Sequence, residues 1–105
     1  IACQSKVTIR INEADIPVLS NVRIACEMLG FDPLYLANEG KAIIILPQDK
    51  VEIALKHLRK SPYGASAELI GTVTDEDPGR VLMTTPFGTT RIITMLAGEI
   101  LPRIC

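Results

Sequence analysis

The sequence predicts an α/β sandwich of the α+β kind, with helices packed on one face of a mostly antiparallel, ferredoxin-like sheet. Three observations predict it. Apolar residues switch between period-two and helical spacing in the order β-α-β-β-α-β-β, polar turns join most neighbouring strands, and 48% apolar content in 105 residues suffices for one core. The domain is expected over residues 1–98, with 99–105 as a flexible C-terminal tail.

Val7, Ile9 and Ile11 alternate with Thr8 and Arg10, which predicts a half-buried strand. From Ser20 the spacing becomes helical. Val22, Ala25, Cys26 and Leu29 make one stripe, Ser20 suits the N-cap, and Gly30 suits the left-handed C-terminus. Leu34 to Ala37 and Ala42 to Leu46 read as two strands of a hairpin around the polar turn Asn38-Glu39-Gly40-Lys41. A second helix is expected from Asp49, its N-cap, to Lys60, burying Val51, Ala54, Leu55 and Leu58 before Ser61-Pro62-Tyr63-Gly64 ends it. Glu68 to Thr74 and Arg80 to Thr84 are expected as another hairpin around Asp75 to Gly79, and Thr90 to Leu96 as a last strand or short helix.

Eleven basic residues against twelve acidic ones leave no electrostatic footprint for nucleic acid, and no apolar run approaches a membrane-spanning length. No nucleic-acid or membrane partner is therefore expected. Three widely spaced cysteines argue against a disulfide framework and for a reducing compartment, with the cytoplasm as the expected location. The chain starts at Ile1 without a leader, and it is expected to be a piece of a longer one. The seven glycines never approach the spacing of a phosphate-binding turn, and one histidine with no Cys-x-x-Cys pair gives no metal-ligand pattern. No metal site is expected.

Among residues able to carry chemistry, His57 reads as a solvated residue of a basic helix and Cys26 as a small core hydrophobe. Glu39 has two readings. It is a solvated charge on a hairpin turn whose Gly40 supplies positive φ, or a general base, a role a carboxylate takes when partial burial raises its pKa toward neutrality. Cys105 also has two. It is an incidental last residue, or a nucleophile on an arm that reaches on the order of 25 Å from Gly98 at ~3.3 to 3.6 Å per residue. Pro102 stiffens that arm, and Arg103 places a cation beside the thiol that favours the thiolate.

Ala25-Cys26-Glu27-Met28-Leu29-Gly30, Asp32 through Lys41, Pro86-Phe87-Gly88-Thr89-Thr90-Arg91 and the ending Leu101-Pro102-Arg103-Ile104-Cys105 together resemble the HypE family of hydrogenase maturation proteins. That family belongs to the aminoimidazole ribonucleotide synthetase-like superfamily, and the resemblance runs over essentially the whole chain. It implies that Cys105 accepts a carbamoyl group from a carbamoyltransferase partner. The group is then dehydrated with ATP to a thiocyanate, and cyanide passes to the iron of a nickel-iron hydrogenase centre on an iron-scaffold maturation complex.

The resemblance further implies that Glu39 deprotonates the carboxamide, with Asn38, Lys41 and Arg103 in weaker substrate-orienting roles. Family members are much longer homodimeric proteins whose N-terminal domain binds most of the Mg-ATP. This chain alone is therefore expected not to hydrolyse ATP, and part of its core is expected to be open, since the family's domain starts earlier with a strand and a helix. The competing class is a non-catalytic protein-binding module with an incidental terminal cysteine. A third reading, a redox pair between Cys3 or Cys26 and Cys105, needs Cα atoms within ~7 Å.

Overall fold

β1 (Thr8–Asn12) is the strand on which the sheet is assembled. The computed structural model describes residues 1–95, which fall into two units, one of Ile1–Pro17 with Pro47–Thr94 and one built on Val18–Leu46. Leu96 at the end of the last expected strand and the expected tail 99–105, with Arg103 and Cys105, lie outside the described residues.

In the first unit, β2 (Gly71–Thr74), β3 (Val81–Thr84) and β4 (Thr90–Ile92) complete a mixed four-stranded sheet in the order β2-β1-β3-β4. β1 is antiparallel to β2, with Thr8 opposite Thr74 and Ile11 opposite Gly71. It is parallel to β3, with Ile9 opposite Val81, while β3 and β4 form an antiparallel hairpin that sets Leu82 opposite Ile92. The sheet is thus mostly antiparallel, as expected. The expected hairpin of residues 68–74 with 80–84 is not formed. The chain does reverse at Asp75 to Gly79, but β1 lies between β2 and β3. The turn is long enough to step over one strand, about two ladder spacings of ~4.8 Å each, and the insertion gives β1 partners on both edges.

Thr8 holds this arrangement. Its Oγ1 donates to the carbonyl of Asp77 at 2.6 Å and accepts from the Asp77 N–H at 2.9 Å, while the Gly79 N–H reaches the Val7 carbonyl at 3.0 Å. The alternation of β1 predicts Thr8 on the solvent side, yet it is fully buried. Burial of a hydroxyl is tolerated because both its hydrogen-bonding functions are used. Arg10 pairs with Glu76 at 2.8 Å and Arg80 with Asp77 at 2.9 Å on the same turn. These pairs are about half exposed and are worth at most ~1 kcal/mol each, so the Thr8 contacts set the register. Met83, also fully buried, lies on β3. Gly71 admits the close approach of β1 and β2, since a Cβ there would collide with the Arg10 carbonyl.

Two helices belong to this unit. The short α1 (Ala2–Ser5) buries Ala2 and directs the Cys3 thiol to the Gly79 carbonyl at 3.1 Å. α2 (Ser20–Leu29) belongs to the second unit, and α3 (Val51–Leu58) to the first. α3 half-buries Val51, Ala54, Leu55 and Leu58, the stripe its spacing predicts. Asp49 is not its cap. A 3-10 turn, Gln48–Lys50, precedes the helix, and the Asp49 carboxylate pairs with Lys50 at 3.2 Å instead of accepting from the backbone. β2 begins later than expected because Arg59 holds the preceding segment, donating to the Ala67 carbonyl at 2.9 Å and to Glu68 at 2.8 Å.

In the second unit α2 buries Cys26 and half-buries Val22, while Ala25 and Leu29 are exposed, so the buried stripe is narrower than the spacing suggests. Ser20 is the first helical residue and makes no cap hydrogen bond; Leu19 occupies the N-cap. Gly30 takes the expected left-handed conformation at φ 70°. The expected strand at Leu34 to Ala37 is replaced by a 3-10 turn, Pro33–Tyr35, because Asp32 accepts from the Leu34 N–H at 3.0 Å and Pro33 fixes its own φ. Ala42 to Leu46 has no ladder partner among the described residues, so the expected second hairpin is absent there. Ile43 is 78% exposed, and Ile44, Ile45 and Leu46 are exposed beside it. The core is open at this segment.

Thr74 Oγ1 is buried opposite Thr8 with no hydrogen-bond partner among the described residues, because the Thr8 hydroxyl is committed to Asp77. Thr8→Val should therefore destabilise by about 1–3 kcal/mol, leaving the Asp77 backbone groups without their buried partner, whereas Thr74→Val should be neutral or stabilising. Thermal melts of the two variants check this; equal losses would contradict the assignment. Gly71→Ala should lower the melting temperature through the Arg10 collision, against little effect for alanine at an exposed strand position.

Candidate functional site

Asn38, Glu39, Gly40 and Lys41 follow the Pro33–Tyr35 turn and are all exposed. Gly40 has φ 77°, the left-handed conformation expected of it, so the turn itself forms without the flanking ladder. Neither Glu39 nor Lys41 belongs to an ion pair among the described residues. The turn presents a carboxylate, an amide and an ammonium to solvent within four consecutive residues, a set able to take a proton from a small polar group and orient it. Partial burial of Glu39, which a base role calls for, is not supplied by its own unit. The other members of the expected set, Arg103 and Cys105, lie outside the described residues.

Cys26 is 3% exposed on α2 and keeps its reading as a core residue. Cys3 and Cys26 are both free thiols. His57 is exposed on α3, in keeping with its reading as a solvated residue. Its Nδ1 lies 2.8 Å from the Ile53 carbonyl, which can only accept, so Nδ1 carries the proton. Glu52, Leu55, Lys56, Arg59 and Lys60 line an open depression of about 500 Å³ on the same helix. It contains none of the residues expected to react, and Arg59 is already engaged by Glu68.

One exposed feature was not given a role by the sequence. The β3–β4 hairpin closes through Thr85 to Thr89, with the Thr85 N–H to the Thr89 carbonyl at 2.8 Å, the Gly88 N–H to the Thr85 carbonyl at 3.0 Å, and the two threonine hydroxyls 2.7 Å apart. Phe87 stands at its tip, 93% exposed. The signal available in sequence is an aromatic residue between Pro86 and Gly88, a turn setting that leaves a large side chain uncovered.

Among the described residues no group of three or more His, Cys, Asp or Glu side chains could hold a metal ion, and no helix is long and apolar enough to cross a membrane.

A mixed four-stranded sheet with β1 inserted between β2 and β3 is consistent with an aminoimidazole ribonucleotide synthetase-type domain. The chain belongs to that family: residues 1–84 match the AIR synthase related protein, C-terminal domain. It is 50% identical over all 105 residues to the carbamoyl dehydratase HypE of Azotobacter vinelandii, of which it covers 31%. Its structure is similar to that of the hydrogenase maturation protein HypE in complex with ATP, with a TM-score of 0.86 and 42% identity, covering 94% of this chain and 31% of that one. It is also similar to HypE in the HypE–HypF complex, with a TM-score of 0.79 and 42% identity, covering 86% of this chain and 29% of that one. The chain thus spans about a third of the length of the relatives it matches.

Brief treatment of the folded protein with a thiol alkylator should label Cys3 before Cys26, because the first is exposed and the second buried. Peptide mass spectrometry reads the order, and faster labelling of Cys26 would contradict its core placement.

Proposed function

We propose that this chain is the C-terminal part of an ATP-dependent carbamoyl dehydratase of nickel-iron hydrogenase maturation, with Cys105 as covalent carrier and Glu39 as base. The observation that supports this most is identity at half of all positions to a carbamoyl dehydratase, sustained to the last residue. Asn38 to Lys41 and Pro102-Arg103-Ile104-Cys105 both lie within the matched length.

The chemistry assigns each group a task. The Cys105 sulfur bonds to the carbamoyl carbon as its thiol proton leaves and the bond between that carbon and its leaving group on the transferase's activated donor breaks, giving a thiocarbamate. Its oxygen is a poor leaving group until phosphorylated by ATP, which becomes ADP. One N–H proton is lost as the oxygen takes the phosphoryl group, and the second as phosphate departs, leaving the S-cyano group. The net change is loss of one water from the thiocarbamate, taken up in ATP cleavage to ADP and phosphate. Glu39 is the proton acceptor on nitrogen; Asn38 and Lys41 on its turn, and Arg103 beside the thiol, orient the carboxamide and the transferred phosphoryl group. The turn is solvent-facing in this unit, so the cover that makes Glu39 an effective base comes from the docked substrate arm and the remainder of the longer protein.

The similar HypE in complex with ATP supports nucleotide binding by the longer protein, and we assign Mg-ATP binding mainly to its N-terminal part. The HypE–HypF complex supports a carbamoyltransferase as the partner that loads Cys105. An iron-scaffold maturation complex that receives cyanide, a homodimeric full-length state and a cytoplasmic location complete the reading.

Incubating the full-length protein with its carbamoyltransferase, carbamoyl phosphate and ATP should add a carbamoyl group to the C-terminal peptide and then remove the elements of water. Cys105→Ala should show neither mass change. Glu39→Gln should accumulate the carbamoyl form, with dehydration slowed by roughly 100-fold or more, the usual contribution of a positioned base. This chain alone should leave ATP intact. An unmodified Cys105 in the complete system would leave only the binding-module reading.

A further inference from the structure

We propose that Asp32 is a positioning residue for the candidate base: by capping the 3-10 turn Pro33–Tyr35 it sets the direction in which the chain runs on to Asn38–Lys41, and so where Glu39 stands. The inference rests on the reading of Glu39 as the base of carbamoyl dehydration, and Asp32 acts only through it. Three observations within the second unit carry it.

First, the turn that bears Glu39 has no tether of its own. Among the described residues Asn38, Glu39 and Lys41 take part in no hydrogen bond or ion pair, and Ala42 to Leu46 beyond them has no ladder partner. Gly40 at φ 77° shapes the turn without fastening it to anything. Its orientation is therefore inherited from the residues before it.

Second, those residues are fastened as far as Tyr35, and Asp32 is the hub. The chain leaves α2 through Gly30 and Phe31, whose N–H groups both reach the carbonyl of the buried Cys26, the second at 2.9 Å. Asp32 follows directly. Its Oδ1 accepts from the Leu34 N–H at 3.0 Å and its carbonyl from the Tyr35 N–H at 3.0 Å, so one residue holds the turn with side chain and main chain together. The turn lies against α2, and Asp32, Pro33, Tyr35 and Leu36 are half-buried, whereas Ala37 to Lys41 are exposed. From Tyr35 the chain extends at most ~14 Å to Glu39, at ~3.6 Å per residue. A change of direction at the turn is carried out to the carboxylate over that length.

Third, the segment has a competing conformation. Leu34 to Ala37 carries a strand pattern that the cap and Pro33 override. A 3-10 turn of three residues has few bonds of its own, so its persistence depends on the side-chain acceptor that closes it. Without that acceptor the Leu34 N–H turns to water and the extended form is favoured. A catalytic base tolerates little displacement, since a shift of about 1 Å can cost ~100-fold in rate.

The test uses the full-length protein with its carbamoyltransferase, carbamoyl phosphate and ATP, reading the two steps separately from the mass of the C-terminal peptide. Asp32→Ala should slow dehydration at least tenfold while Cys105 is carbamoylated at the wild-type rate, which also shows that the protein is folded. Asp32→Asn keeps an oxygen that accepts from the same N–H and should restore most of the dehydration rate. Ser61→Ala removes a bond of the same kind in the other unit, from the Tyr63 N–H to Ser61 Oγ at 3.3 Å, and should change neither step. In a Glu39→Gln background Asp32→Ala should add less than about twofold, because misplacing a base that is already lost has no further effect.

Wild-type dehydration by Asp32→Ala would overturn the proposal. So would equal slowing by Asp32→Asn, parallel loss of both steps, or a full further tenfold slowing in the Glu39→Gln background. The two readings fail separately. Unimpaired Asp32→Ala beside a slow Glu39→Gln removes the positioning residue and keeps the base; dehydration by Glu39→Gln at the wild-type rate removes the base, and Asp32 with it.

Discussion

The hydroxyl of Thr8 is the contact on which the rest of the sheet depends. Threonine on a central strand could simply pack its methyl group, but here both the donor and the acceptor of the side chain are consumed by the backbone of Asp77. Each of these bonds contributes roughly 1 kcal/mol net, yet leaving them unmade inside the sheet costs more, so the acidic turn has one favourable seat. Once Asp77 is seated at the start of β1, β3 is delivered to one edge of that strand in parallel register. β2 occupies the other edge, and β4 folds back on β3. The order β2-β1-β3-β4 follows from where one turn is pinned. The surface ion pairs of Arg10 and Arg80 on the same turn reinforce the placement without deciding it.

The site has a different logic. The candidate base and the candidate carrier are supported by different parts of the chain: Glu39 by a glycine turn after a 3-10 segment, Cys105 by whatever leads on from β4. The proposed reaction, which moves a carbon group between proteins, gains from this division. The carrier has to travel, and the base has only to wait.

Much of this was legible in the residues. The 3.6-residue spacing of Val51, Ala54, Leu55 and Leu58 marked the half-buried stripe of α3, and Gly30 and Gly40 marked left-handed positions correctly because only glycine takes them without strain. What misled was pairing. Residues 68–74 and 80–84 read as neighbours because local sequence reports chain reversal but says nothing of a third strand inserted between. Thr8 read as a solvent residue because alternation cannot register a hydroxyl with two buried partners. The strand signal of Ala42 to Leu46 is real as a propensity. A ladder, however, needs a second strand, and Asp32 and Pro33 drew the nearest candidate into a 3-10 turn. The residues of the site were legible only through family likeness, since a four-residue polar turn and a terminal cysteine are each common. Capping predictions failed in one direction: Ser20 and Asp49 are both at helix starts, but neighbouring residues took the cap positions.

The open segment also bears on how such a chain behaves in a test tube. Ala42-Ile43-Ile44-Ile45-Leu46 combines β-branched apolar side chains, no charge and unpaired backbone, the composition that templates intermolecular cross-β assembly. Its boundaries are Lys41 on one side and Pro47 on the other, a charge and a residue that cannot donate to a ladder, both of which act as gatekeepers against such growth. Under the proposed function Lys41 therefore carries two burdens, one toward the substrate and one toward solubility. A neutral replacement made to probe the first would also remove a guard against aggregation.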